Sequence, residues 1–344
     1  MMSNPGATGE HQNAVDLRLV RYAVTLAEEL HFGRAAARLV IAQQTLSAQI
    51  GELEHRLGVL LFLRDRRSVE LTAAGKLFVE GGRRLLADAA DLVLQVTGAV
   101  RPVRLDEITE GLIGAFLAQE LRVNLPEVLI EIVQTQGLTA GLRQLQDGDI
   151  DLTFGRVHGY QALPRNLQHQ LVSFAPLGVV LAANHPLAQW DQLPVDKLSS
   201  SPLLVHTAPQ ADDWADWIDC FISRFGLAVG RRLHGHGRGA VNSAVSAYGM
   251  PALGPLTVVP PPGLVLRPLC EPVPLCPVSV VWAGSQPNPI GELSGDLAQV
   301  IKTIIELAEE WGWRSLPPQR WWLPDLDLRA FRASLSAADL RNAT

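Results

Sequence analysis

The chain has 344 residues, 47% of them hydrophobic, and a net charge of −6, which suits two or three globular domains and excludes a tiny module. Three cysteines exclude a disulfide framework, and the lack of an uninterrupted apolar run of membrane length argues against a spanning helix; with no charged leader before an apolar run, a cytoplasmic protein is expected. The charge is uneven, since residues 15–104 hold 13 Arg and Lys against 10 Asp and Glu, leaving −9 for the rest.

Residues 1–14, with Pro5, Gly6 and Gly9, read as a disordered lead. Leu19, Tyr22, Ala23, Leu26 and Leu30 recur at three and four residues and predict a first amphipathic helix. Gly33 to Leu39 predicts a short second helix, and Val40-Ile41-Ala42 leaves room only for a tight turn. A third helix, Gln43 to Leu57, turns Leu46, Ile50, Leu53 and Leu57 inward and leaves Gln43, Gln44, Thr45, Ser47, Ala48 and Gln49 on its first exposed turns. Gly58 suits the position after a helix end. Arg64, Arg66 and Arg67 then crowd a two-stranded tip before Val69 and Leu71 alternate inward. This order is a helix-turn-helix (residues 15–75) with a basic wing, the arrangement that holds double-stranded DNA. The third helix would enter the major groove, Arg64, Arg66 and Arg67 would reach phosphates or the minor groove, and His31, Gly33 and Arg34 would meet the backbone.

From Ala73 one long helix is predicted, assigned as a linker over residues 76–101. Phe78, Leu85, Leu92 and Ala99 repeat every seven residues, and Gly82, Ala89 and Val96 follow the first three by four. Such an apolar seam suits a pairing surface through Phe78, Leu85, Ala89, Leu92 and Val96, with packing on the helix's own domain as the alternative. Arg101-Pro102 breaks the helix at a hinge. Strands at Gly111–Phe116, Val128–Val133 and Asp151–Phe154 alternate with helices at Leu117–Val123 and Thr139–Gln146, which predicts parallel βαβ units. A second set runs through Leu177–Ala182, Leu203–Val205, a helix over Trp214–Phe225 and the proline-dense stretch 251–277, before a strand at Val278–Trp282 and a helix at Leu293–Glu310. Two α/β lobes follow within residues 102–313: lobe one at about 107–172 and 278–313, lobe two at about 173–277. Small ligands favour such inter-lobe crevices at the carboxyl ends of strands. Residues 314–344, with Trp321-Trp322 and Arg329, form a C-terminal extension whose packing the pattern leaves open.

The N-terminal pattern, through Ala35-Ala36-Ala37-Arg38-Leu39, Leu46-Ser47-Ala48-Gln49-Ile50 and Leu61-Phe62-Leu63-Arg64-Asp65-Arg66-Arg67-Ser68-Val69-Glu70-Leu71-Thr72-Ala73-Ala74-Gly75, resembles the LysR-type transcriptional regulators. Gly148-Asp149-Ile150-Asp151-Leu152 and His185-Pro186-Leu187 extend the likeness more loosely. The resemblance implies an α/β chain with an N-terminal winged helix-turn-helix, a long linker helix and a two-lobed, periplasmic-binding-protein-like effector domain. It implies a homodimer or a dimer of dimers on a promoter operator, contact with RNA polymerase, and a small-molecule effector without a cofactor. Two departures fall in the reading helix. Ala42 replaces the family's capping serine, removing an acceptor worth ~1 kcal/mol, and Ala48 replaces an arginine. Glutamine suits adenine, so Gln43 and Gln44 are expected to carry more of the base discrimination.

For the effector, Gln136-Gly137-Leu138-Thr139 begins a helix whose free N–H groups face the strand ends. Relatives place a Ser or Thr in this loop, which makes Thr139 the first candidate, with an ordinary capping role as the alternative. Arg156 after the third strand can neutralise a carboxylate or sit in solvent, and His206 and Thr207 hold the analogous place in lobe two. No catalytic constellation accompanies these residues. His234-Gly235-His236 lacks a partner at metal-ligand spacing, Cys270 and Cys276 lack a CxxC, and no P-loop or Gly-x-Ser-x-Gly occurs. A regulator without enzymatic activity is therefore expected; a winged-helix protein-interaction module and a cytoplasmic solute-binding protein are the alternatives.

Overall fold

The computed structural model describes residues 16–64, 69–97, 101–106, 113–135, 137–158, 163–164, 166–207, 212–234, 237–257, 259–284 and 295–344. The chain falls into two compact units, one of Met1–Val100 with Gln146–Gly148 and one of Arg101–Leu145 with Asp149–Thr344.

The N-terminal unit opens with α1 (Leu17–Glu29), α2 (Phe32–Arg38) and α3 (Gln43–Leu57). Leu19, Ala23 and Leu26 of α1, Ala35 and Ala36 of α2, and Leu46, Ile50 and Leu53 of α3 form one core with Leu61 and Phe62, so the apolar spacings read from the sequence do face inward. The Asp16 carboxylate accepts from the Arg18 N–H at 2.8 Å and caps α1. At the start of α3, Ala42 makes no side-chain cap. Gly58 closes α3 with φ 68°. The hairpin β1 (Phe62–Arg64) and β2 (Val69–Leu71) is antiparallel, with Phe62 opposite Leu71 and Arg64 opposite Val69.

Helix α4 (Ala73–Thr97) follows. The Thr72 hydroxyl accepts from the Gly75 N–H at 2.9 Å and donates to the Leu60 carbonyl at 2.7 Å. A Cβ on Gly75 would lie 2.0 Å from the Leu61 carbonyl oxygen, which gives the Leu71-Thr72-Ala73-Ala74-Gly75 run its physical reason. The predicted seam divides in two. Phe78, Val79 and Leu86 pack with Val20 and Val24 of α1, and Phe78, half-buried, meets its own unit on that side. Gly82 is the close-approach residue of that contact: a Cβ there would lie 2.7 Å from Val20 Cγ1, whereas Gly81 meets nothing within 4 Å. Gly82→Ala is therefore expected to lower stability by about 1 kcal/mol, overpacking a stiff β-branched neighbour. Gly81→Ala should raise it by nearly 1 kcal/mol through helix propensity alone. Paired thermal melts of the two variants check the sign.

The C-terminal unit begins with a strand, β3 (Val103–Asp106), directly after Pro102, and this corrects the predicted first strand at Gly111–Phe116. Residues 113–116 belong to α5 (Ile113–Asn124), whose Leu117, Ala118 and Leu121 are buried, and residues 111–112 lie outside the described set. The lobe therefore starts at 103 and not at 107. Then come β4 (Ile130–Val133), α6 (Leu138–Asp147), β5 (Leu152–Gly155) and β6 (Leu167–Ala182). Lobe two adds β7 (Leu193–Pro194), β8 (Leu203–Thr207), α7 (Asp212–Phe225), β9 (Val229–His234), α8 (Arg238–Tyr248), β10 (Ala252–Pro255) and β11 (Leu264–Cys270). The chain returns through β12 (Val273–Ala283) and α9 (Asp296–Glu310), then makes β13 (Trp321–Trp322), α10 (Asp325–Phe331) and α11 (Ala337–Asn342).

The strands run β4-β3-β5-β12-β6-β10-β8-β9, with β3–β4, β3–β5, β8–β9 and β8–β10 parallel. The crossing strands are longer than predicted: β6 has 16 residues and pairs with β12 from Leu167 to Pro176, then with β10 and β11 from Leu177. Pro176, which has no N–H to give a ladder, marks the passage between lobes. Each lobe has its own core, one around Leu105, Leu152, Val280 and Ile304, the other around Leu181, Leu203, Trp217 and Phe221.

The two sequence signatures of this unit are structural. The Asp151 carboxylate accepts from the Arg104 backbone N–H at 2.8 Å and from Arg101 Nη2 at 2.8 Å, tying β3 to β5. His185 Nδ1 accepts from the Leu187 N–H at 3.1 Å and caps the short turn Pro186–Gln189. The extension after 314 packs on the α/β unit: β13 pairs in parallel with the start of β12, and Trp321, Leu323 and Phe331 are buried with Phe174, Val273 and Leu275.

Candidate functional site

Two sets of residues were singled out, one on the winged helix and one at the strand ends of the α/β unit. On α3 the inward residues Leu46, Ile50 and Leu53 hold the helix down, while Gln43, Gln44, Thr45 and Ala48 are exposed and Ser47 and Gln49 are half-buried. His31 caps α2, its Nδ1 accepting from the N–H groups of Gly33 and Arg34 at 3.1 and 3.2 Å. The place of a Cβ on Gly33 lies 3.0 Å from the His31 ring and 3.5 Å from Gln43 Oε1, so His31, Gly33 and Gln43 converge at the first turn of the reading helix. Arg34 reaches back to the carboxylate and carbonyl of Glu29. It remains mostly exposed, so a phosphate contact there would compete with an ion pair.

Arg64 has a partner that the sequence reading missed. Glu54, 6% exposed, accepts from the backbone N–H groups of Leu61 and Phe62 at 2.9 and 3.0 Å and from Arg64 Nη2 at 2.7 Å. The Arg64 guanidinium also lies 4.9 Å from the Phe32 ring centroid. One carboxylate thus joins the reading helix, the first wing strand and the start of α2. A charged residue at the inward spacing, one place after Leu53, was the available signal. Arg66 and Arg67 lie outside the described residues.

In the α/β unit, the carboxyl ends of β3, β4 and β5 are held by Asp106, which is fully buried. It accepts from the Thr135 N–H at 2.9 Å and from the hydroxyls of Thr135 and Thr153, both at 2.6 Å. Gly141 lets α6 approach this cluster, since a Cβ there would fall 2.3 Å from Thr153 Oγ1. Gly137 and Leu138 are buried beside it and Thr139 is half-buried as the second residue of α6, so Thr139 stands inside the first turn and not at the cap position. Gln136 lies outside the described residues. His206 and Thr207 end β8 half-buried, and the Thr207 hydroxyl bonds the Leu233 carbonyl at 3.4 Å.

Gly155, at the end of β5, is where the two lobes meet. A Cβ there would lie 3.0 Å from Leu138 on α6 and 3.2 Å from Asp213 Oδ2 on α7. The next residue corrects the sequence reading. Arg156 neutralises carboxylates, but they are the protein's own: its side chain is 1% exposed, Nε donates to Asp327 at 2.8 Å, and Nη1 donates to Asp216 at 2.6 Å and to the Asp213 carbonyl at 3.2 Å. Its backbone N–H bonds the Asp213 carboxylate at 3.2 Å. Burial pushes the Asp327 carboxyl up to about 6 although Arg156 pulls it down, and burial likewise raises Asp213. The three cysteines are free, and burial raises each thiol above its usual range, Cys276 most of all, so these thiols resist forming thiolates. Among the described residues, no cluster of three or more His, Cys, Asp or Glu is placed to hold a metal ion, and no helix is long and apolar enough to cross a membrane.

Residues 17–76 match the family described as bacterial regulatory helix-turn-helix protein, lysR family, and residues 112–291 match the LysR substrate binding domain. Among characterised relatives, the chain is 31% identical over 257 residues to the regulator CatR of Pseudomonas putida, covering 72% of this chain and 83% of CatR. It is 33% identical over 228 residues to a probable cat1 operon transcriptional activator of Acinetobacter lwoffii, covering 63% and 73%. A further relative, an uncharacterized helix-turn-helix transcriptional regulator YnfL of Escherichia coli, is 33% identical over 197 residues, a match that spans 55% of this chain and 65% of YnfL. A full-length OxyR variant from Pseudomonas aeruginosa shares the fold with a TM-score of 0.60 at 24% identity, covering 86% of this chain and 95% of that one.

Proposed function

The chain belongs to the lysR family of bacterial helix-turn-helix regulators, and from that premise we propose that it is a cytoplasmic, non-enzymatic regulator that pairs through α4, binds a promoter operator as a homodimer or dimer of dimers, and answers to a small molecule between its lobes. The observation that carries the DNA-binding part is the face of α3: three buried leucine and isoleucine side chains fix the helix, and the side chains of its first two turns project outward at the place where a winged helix meets base edges. For pairing, the support is the bare half of α4, where Leu85, Leu92 and Val96 are 51, 60 and 79% exposed, more apolar surface than a lone helix leaves to water. For the effector, the support is the matched substrate-binding domain together with the strand-end position of Gly137, Leu138, Thr139, His206 and Thr207. An effector acts by favouring one lobe or dimer arrangement over another, and contact with RNA polymerase would transmit it.

Fluorescence anisotropy of the full chain on DNA upstream of its own gene, titrated with salt against a scrambled competitor, tests this reading. Salt-sensitive binding that survives the competitor is expected; equal or absent binding to both duplexes would return the winged helix to protein interaction. Gln43→Ala is expected to cost about 1–3 kcal/mol at adenine-bearing operator positions and little at others. An unchanged preference across operator variants would remove Gln43 from base readout.

A further inference from the structure

The C-terminal extension lies beyond the matched substrate-binding domain and beyond α9, and it is built differently from a loose tail. Its chain closes on itself, since the Thr344 N–H bonds the Trp321 carbonyl at 2.9 Å and the Asn342 amide bonds the Pro318 carbonyl at 2.9 Å. It is anchored in lobe two by Trp322, whose ring stands 5.4, 5.5 and 5.6 Å from those of Trp217, Phe221 and Phe225. It is anchored on the crossing strand β6 by Phe331, 5.4 Å from Phe174, and in lobe one by the same Phe331, 5.1 Å from the His158 ring. Its one fully buried acid, Asp327, bonds Arg156 of lobe one, and Arg156 in turn holds Asp216 of lobe two.

We propose that residues 314–344 are a clamp across the hinge between the two lobes, with Asp327 the positioning residue through which the clamp holds Arg156. A strap needed only to cover apolar strands would be complete with its tryptophans, leucines and Phe331. Sinking a carboxylate to full burial against a guanidinium is costly and adds little net stability; what such a pair adds is a single preferred geometry. The pair is also incompletely made. Arg156 Nη2 and Asp327 Oδ1 have no hydrogen-bond partner, so the carboxylate uses one bond where a fork-to-fork pair makes two. A contact of this kind can be let go without breaking the apolar anchors. A rotation that moves Trp217 and Phe221 relative to Arg156 and His158 pulls on an extension fixed to both sets, and the Asp327–Arg156 contact is the one released first. Arg156 is thereby taken out of the effector contacts and placed in the machinery that sets the lobe angle.

The proposal rests on the effector-domain reading only for the existence of two lobes, and its test uses neither DNA nor effector. Spin labels are carried on non-canonical residues at the exposed positions 119 of α5 and 223 of α7 in the full chain, leaving the cysteines intact, and the inter-lobe distance is read by double electron–electron resonance. The parent is expected to show one narrow distance. Asp327→Asn, and separately Phe331→Leu, are expected to broaden it at least twofold or add a second population, while Leu326→Ala on the exposed side of α10 leaves it unchanged. Distributions for both variants that superimpose on the parent, even with a lowered melting temperature, would reduce the extension to a structural cover. If Asp327→Asn does not fold, Phe331→Leu decides alone. Failure here leaves operator binding untouched, and failure of operator binding leaves the clamp standing.

Discussion

Glu54→Ala is expected to lower the melting temperature of the winged helix by about 15 °C, from a loss of about 3 kcal/mol in a unit of this size. The side chain is buried and its two oxygens serve three donors. Truncation leaves the Leu61 and Phe62 N–H groups without acceptors, each costing about 1–3 kcal/mol when water cannot reach it, and also frees a partly buried arginine. Because the same carboxylate sets α3 against β1, operator affinity should fall with stability. Glu54→Gln keeps an acceptor for the two N–H groups but turns its amide NH2 toward Arg64 Nη2, losing that charged hydrogen bond, so it should cost about 1–2 kcal/mol, less than Glu54→Ala. Hydrogen exchange over residues 43–64 in the full chain, beside thermal melts, separates the cases. Equal stability of Glu54→Ala and the parent would show that the wing is held by Phe62 and Leu71 packing alone.

What the sequence disclosed follows the range of the interactions involved. The winged helix was legible because its core is local: Leu46, Ile50 and Leu53 sit at helical spacing, and Gly75 is demanded by a carbonyl fourteen residues away. The seam on α4 was read correctly as apolar, yet periodicity cannot say which partner covers a face. Val20 and Val24 of the same chain take Phe78 and Gly82. In the α/β unit, β3 was hidden because Arg104 and Asp106 interrupt its apolar pattern, and both are explained only by distant partners, Asp151 for one and Thr135 and Thr153 for the other. Residues 113–116 read as a strand from their short apolar run, yet they open a helix whose Leu117 and Leu121 are buried. Arg156 shows the limit most clearly. Its position at a strand end was right, but the carboxylate that occupies it lies 171 residues further along the chain, in an extension that local pattern could not place.

Replacing Leu85 and Leu92 together by glutamate is expected to abolish pairing and reduce operator affinity by at least about 100-fold. Leu85 and Leu92 are 51 and 60% exposed, with half-buried Ala89 between them and Val96, 79% exposed, one turn beyond. Burying the exposed half or so of each leucine contributes about 0.8–1.5 kcal/mol, and a two-fold pairing uses each residue twice, so the double change removes about 3–6 kcal/mol before the cost of apposing four carboxylates. The fold of the N-terminal unit should survive, because Phe78, Val79, Gly82 and Leu86, which do pack on α1, are untouched. Loss of pairing then acts on DNA through effective concentration: two half-sites bound independently forfeit the gain of linked binding, typically about 100-fold or more. Sedimentation velocity and anisotropy on one sample distinguish the outcomes. Monomers with weak, still salt-sensitive binding would place the seam between protomers, and intact dimers would mean that another surface joins them.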